Sequence, residues 1–174
     1  MNQLQAYAIS IGVLGGIDTF LTATVFPVPV YVTFIAWASF FIMGGKLSGL
    51  GRSIASNLTG CVIASLTLLA ITGFGGSTII TSVCVGVGSA AMVLVSRFKL
   101  LSAVPAIVWG FASTVATTVA TGKSITTQGL DNPFLVAAAA LILGGVFGYI
   151  HEVWGNAMVS KATPVSSQEI ENPS

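Results

Sequence analysis

FPVPVYVTFIAWASFFIMGGK, residues 26–46, decides how this chain is folded. An apolar and aromatic run lies between Pro27-Val28-Pro29 and Gly44-Gly45-Lys46, and the segment before it is just as apolar. If the two runs merge into one helix, the chain makes five apolar helices and its ends fall on opposite faces of a bilayer. If the prolines turn the chain, it makes six and the ends fall together. Proline has no N–H to donate, and it pushes the residue before it out of the helical region. Two prolines one residue apart therefore favour a turn, with a second helix over residues 28–45.

Outward from this stretch, Gly, Pro and charge punctuate the chain into six apolar segments, near residues 5–26, 28–45, 50–72, 77–96, 100–121 and 133–153. Of 174 residues, 54% are hydrophobic and 6% charged, with a mean hydropathy of +0.95, against about 25% charged in soluble domains. A bilayer crossing takes roughly 20 apolar residues. The reading is an all-α, polytopic membrane helix bundle of six transmembrane helices: one domain over residues 1–154, with a polar, disordered cytoplasmic tail over 155–174. Short separators make successive helices antiparallel neighbours. With six spans, Lys46, Arg52, Arg97, Lys99 and Lys161 share one side and Lys123 stands alone on the other, so the positive-inside rule places both termini in the cytoplasm. No Lys or Arg precedes the first apolar run, so it is expected to be a retained helix and not a cleaved signal. The net charge of +1 leaves no footprint for nucleic acid.

A faint internal repeat appears when segment two is laid over segment five. Pro29, Phe34 and Gly45-Lys46 match Pro105, Phe111 and Gly122-Lys123 with one gap, and segments three and six align at Gly60 and Gly145. Three helices reverse orientation on the second pass, so the implied relation is two inverted three-helix halves.

Small residues recur every four positions: Gly12 and Gly16; Ser56, Gly60 and Ala64; Ser82, Gly86 and Ala90; Ala112, Ala116 and Ala120; Gly144 and Gly148. Lipid gives helices no hydrophobic drive to associate, so such stripes are expected to carry helix packing. The small size of the bundle points to a homo-oligomer. Segment two carries Phe34, Trp37 and Phe41 on one face instead, expected to meet lipid or another protomer.

In STVATTVATGK, residues 113–123, the hydroxyls of Ser113, Thr114, Thr117, Thr118 and Thr121 share one helical face. That face can pack with each hydroxyl bonded to its own backbone, or it can offer a ladder of neutral donors and acceptors to a polar solute. Asp18 is a carboxylate inside an apolar segment, and so a candidate site by default. It is free to be hydrated, to pair with Lys123, or to handle substrate or protons. Asn57 is a second polar residue at depth, and His151 and Glu152 are expected at the inner interface.

Enzymatic chemistry finds little support. The chain has one His, no metal-ligand spacing, no nucleophile elbow and no phosphate loop, so no metal or cofactor is expected. Cys61 and Cys84 read as small packing residues. What remains is a channel or facilitator for a small polar solute, with Asp18, Asn57, Ser113, Thr114, Thr117, Thr118 and Thr121 along its path. Two alternatives stay open: a structural or regulatory subunit that binds a partner protein, and a proton-coupled carrier that uses Asp18.

The motifs VPAIVWGFAST (residues 104–114), GGVFGY (residues 144–149) and GGKLSGL (residues 44–50) resemble the YcdZ-like family of small bacterial inner-membrane proteins. The resemblance covers nearly the whole apolar domain. It implies an inner-membrane location and, since the family is grouped under a domain of unknown function, no activity or substrate.

Overall fold

Helix starts are written into the sequence as caps. Asn2 and Gln5 form a reciprocal capping box, Ser77 accepts from Ile80 N, Asn132 accepts from Phe134 N, and prolines stand in the first turn of the last two helices. The computed structural model describes residues 1–159. Among them it contains six α-helices in the expected order and no strand: α1 (Gln3–Thr24), α2 (Val30–Ile42), α3 (Lys46–Gly73), α4 (Thr78–Val95), α5 (Val104–Thr121) and α6 (Pro133–Met158). A short 3-10 turn, Lys99–Leu101, precedes α5. All but α2 are long and apolar enough to cross a membrane.

Three boundaries differ from expectation, each for a physical reason. α2 is 13 residues long, because Pro29 ends the extended lead-in and Gly44 and Gly45, both at positive φ, close the helix early. α3 begins at Lys46, inside the expected loop, because the Glu152 carboxylate of α6 accepts from Lys46 N at 2.6 Å and supplies the missing cap. α6 continues to Met158, since its last turn is held on α1 by Tyr7, whose hydroxyl donates to Asn156 Oδ1 at 2.9 Å. Residues 155–158 of the expected tail are therefore helical, Val159 caps the helix, and residues 160–174 lie outside the described residues.

The helix pairings carry the internal repeat. The most extensive run between α3 and α5 and between α2 and α6. Exchanging the first three helices for the last three turns one pair into the other. It also turns α1–α6 into α4–α3, α2–α3 into α5–α6 and α1–α2 into α4–α5, while α3–α6 and α2–α5 map onto themselves. Every substantial helix pair has its counterpart. Directions agree as well. α3 and α5 run in step, with Arg52 beside Ser102 and Gly60 beside Ile107 and Phe111; so do α2 and α6, with Thr33 beside Gly144 and Gly45 beside Glu152. α2 runs against α3, where Ser39 meets Ser53 and Met43 meets Gly49. The two halves are thus inverted, and α3 crosses α6 at the axis that relates them.

Small residues set the close contacts. A Cβ on Gly60 would overlap the Ile107 carbonyl, one on Gly110 the Asn57 carbonyl, and one on Gly144 the Thr33 carbonyl. Gly60 and Gly144 thus make the same kind of backbone contact in the two halves, on α5 and on α2, whereas Gly145, aligned with Gly60 in the sequence, faces Leu50 and Ile54 of α3. Gly148 abuts the Phe40 ring. Gly12, Gly16 and Gly86 behave differently: they lie on outer faces, with nothing within 4 Å of where a Cβ would stand. A period of four marks a stripe but not which way it turns, and α1 and α4 are peripheral helices.

The aromatic face of α2 departs from expectation at Trp37, which is buried among Leu14 and Phe147 of α1 and α6. Phe34 packs beside Gly15 yet stays 40% exposed, and Phe41 is half-buried near Tyr7. On α4 only Gly88 and Met92 are buried.

Candidate functional site

Two polar centres lie inside the bundle. The first is the α1–α2 junction. Asp18 follows Leu14 by one turn on the inward stripe of α1 and is completely buried. Its Oδ2 is hydrogen-bonded to the hydroxyl of Thr33, in the first turn of α2, and its Oδ1 has no partner. Of the alternatives open to Asp18, pairing with Lys123 is not made. Lys123 binds Asp131 at 2.6 Å, which is the one salt bridge among the described residues.

The second centre joins α2 to α3. Ser53 donates to Ser39 Oγ at 2.8 Å, and Asn57 Nδ2 reaches Ser39 Oγ at 3.0 Å and Ser53 Oγ at 3.2 Å. Asn57 is fully buried, and its Oδ1 is left without a partner. Ser56 Oγ, and Ser113 Oγ on α5, are likewise buried and unpartnered. The counterpart of this centre across the axis is apolar, where Ala137 and Leu141 join the core around Val32, Ala36 and Cys61. Polarity therefore breaks the pseudo-symmetry that packing keeps.

Along α5, Ser113, Thr114 and Thr117 are buried, Thr118 is half-buried and Thr121 is exposed. Each threonine returns its hydrogen bond to its own helix: Thr114 to Gly110 O, Thr117 to Ser113 O, Thr118 to Val115 O and Thr121 to Thr117 O, at 2.6–3.0 Å. In this conformation the threonine donors are satisfied internally, and within the stripe only the Ser113 hydroxyl has no partner. Thr121 borders a cleft of about 360 Å³ that it shares with Pro27, Pro29, Lys123 and Asp131. No hydrogen bond links the stripe to Asp18 or to the Asn57 side chain.

At the opposite end, His151 is turned into the bundle. It is buried among Tyr7, Trp37 and Phe41, with ring centroids 4.9–5.5 Å away. Trp37 Nε1 donates to its Nδ1 at 3.0 Å, and indole can only donate, so the neutral ring carries its proton on Nε2. Ser10 donates to the His151 carbonyl at 3.3 Å, fixing α1 on α6.

Thr33, Ser39, Ser53 and the His151 surroundings escaped sequence reasoning. The Ser53 and Asn57 spacing of four was a visible signal. Thr33 and Ser39 were hidden among the aromatic residues of α2. Among the described residues no group of acidic, His or Cys side chains could hold a metal ion. Cys61, within the core, donates weakly to Gly110 O at 3.6 Å, consistent with a packing role.

No curated protein and no solved structure matches the chain. The family model described as a protein of unknown function, DUF1097, matches residues 8–156, taking in all six helices, and the chain belongs to that family.

Proposed function

We propose that this protein is a facilitator for a small polar, uncharged solute, working in the bacterial inner membrane as a non-enzymatic homo-oligomer with both termini in the cytoplasm. The observation that carries this reading is the inverted pairing of α3–α5 with α2–α6, the arrangement in which many transporters expose a central path to each side in turn. Three buried polar atoms near the bundle centre, Asn57 Oδ1, Ser56 Oγ and Ser113 Oγ, are neutral and unpartnered and suit a neutral solute, whereas the others, Asp18 Oδ1, Arg52 Nε and His151 Nε2, lie towards the ends. The hydroxyl stripe is closed here, so passage requires the two halves to move apart along α5. The YcdZ-like resemblance fits an inner-membrane setting.

Six crossings are supported by what meets at each end. Tyr7 with Asn156, Lys46 with Glu152 and Arg52 with Ser102 share one end, and Pro27 and Pro29 with Lys123 and Asp131 share the other. α2 rises only about 20 Å, short of a hydrocarbon core of roughly 30 Å, so a crossing takes in the non-helical residues 26–29 that lead into it. Non-helical backbone at that depth needs its donors satisfied. Pro27 and Pro29 have none, Phe26 N donates to Leu21 O, and Val28 N donates to Phe26 O. The outward Gly12, Gly16 and Gly86 faces offer close approach to a second copy.

The test is stopped-flow light scattering of proteoliposomes challenged with water, glycerol, urea, acetamide and short carboxylates. Selective acceleration by one neutral solute, reduced in Thr117→Val with the oligomer intact, is the expected result. Flux unchanged in that variant removes the stripe as lining. No acceleration by any solute, together with a stoichiometric partner copurifying after mild solubilisation, favours the partner-binding subunit instead.

A further inference from the structure

Thr33 Oγ1 stands within hydrogen-bonding reach of two oxygens, Asp18 Oδ2 and the Val30 carbonyl, the latter at 2.7 Å. A threonine hydroxyl has a single proton, and a carbonyl has none. With Asp18 ionised, one proton would have to serve both acceptors, and Oδ1, which has no partner, would be a bare anionic oxygen in the interior of an apolar bundle. A proton on Oδ2 resolves the count. Asp18 then donates to Thr33, Thr33 donates to Val30, and each of the two contacts holds a hydrogen.

No neighbouring charge offers another resolution. The helices packed on α1 are α2 and α6. The only titratable side chain on α2 is Tyr31, and those on α6 are Tyr149, His151 and Glu152. His151 is engaged with Trp37 and Glu152 with the Lys46 amide; Tyr7, on α1 itself, is bonded to Asn156. None is hydrogen-bonded or ion-paired to Asp18. A bound metal ion would need about six oxygen ligands, and the side-chain oxygens joined here are those of one carboxyl and one hydroxyl.

We propose that Asp18 is held as a neutral carboxylic acid donating to Thr33, and that the α1–α2 junction is an exchangeable proton-binding site. The site does not rest on the solute path and would stand if no solute were carried. Its ligand is the proton, and losing that proton would turn the Thr33 hydroxyl from the Val30 carbonyl to the new carboxylate. Protonation and deprotonation are therefore expected to alter how α1 sits on α2.

The test is infrared difference spectroscopy of the full-length protein in lipid at neutral pH, comparing wild type with Asp18→Asn, each shown to be monodisperse. The expected result is a carboxylic acid C=O band, above the amide envelope, that is lost in Asp18→Asn, shifts in D2O, and moves in Thr33→Val because the acceptor of the acid proton is gone. Absence of such a band, with a carboxylate band lost in its place, would overturn the proposal. A band that ignores both D2O and the Thr33 substitution would overturn it too. A hydrophobic carbodiimide, which attacks protonated carboxyls, is expected to add its mass at Asp18 in the wild type and not in Asp18→Asn.

Discussion

Gly60, Gly110 and Gly144 hold the bundle together by what they lack. Each sits where a methyl group would strike the carbonyl of the helix opposite, and backbone cannot give way as a side-chain tip can. Gly110→Val is therefore expected to destabilise the protein by at least about 1–3 kcal/mol, the usual cost of overpacking, read as a lower melting temperature in detergent. Gly16→Val is expected to leave the melting temperature of the isolated protomer unchanged, because nothing lies within 4 Å of that position. Gly16 recurs in a small-residue stripe just as Gly60 and Gly144 do, and the sequence alone did not separate them, because spacing records a stripe but not its direction. Asp18 and Asn57 stood out as polar residues in apolar surroundings, whereas Thr33 and Ser39 did not. A hydroxyl in a helix is commonplace, and only its neighbour across the interface makes it part of a site. Trp37→Phe keeps the ring and removes the donor to His151; an expected cost of about 0.6 kcal/mol, typical of hydrogen bonds within membranes, can be measured by reversible unfolding.

At the scale of elements, the least regular one governs the fold. The prolines before α2 do two things: they stop α1 from running on, and they carry no N–H into a non-helical stretch where a donor would lack a partner. The turn at FPVP was legible for this reason, since proline chemistry is local. The early start of α3 was not legible, because its cap is a carboxylate from α6, 106 residues away. Glu152→Ala is expected to cost about 0.5–2 kcal/mol, as loss of a capping side chain does, and to speed amide hydrogen exchange around Lys46 while leaving α4 untouched. Exchange at Lys46 equal to wild type would mean that the Glu152 contact does not cap α3. The inward turn of Trp37 on α2 was likewise invisible from spacing, since its partners Leu14 and Phe147 belong to other helices.

The whole molecule is two inverted halves, and here sequence and structure meet most closely. Pro29 with Pro105 and Gly60 with its partner in α6 gave a weak alignment, and the helix pairings support the inverted relation at the level of whole helices. The alignment was weak because the halves share packing and not chemistry: the Ser39, Ser53 and Asn57 centre faces an apolar counterpart. Selection on a backbone contact preserves glycine and proline and leaves other positions free to diverge. The central claim is that α2 completes a crossing, so that the halves have opposite orientation in the membrane. Single cysteines at the exposed positions Leu4, Leu47, Leu100 and Leu130, in a protein carrying Cys61→Ala and Cys84→Ala, can be probed in spheroplasts with a membrane-impermeant maleimide. The account predicts labelling at position 130 without permeabilisation, and at positions 4, 47 and 100 only after it. Labelling of positions 4 and 130 from the same side, with 47 and 100 opposite, would mean five crossings and would contradict it.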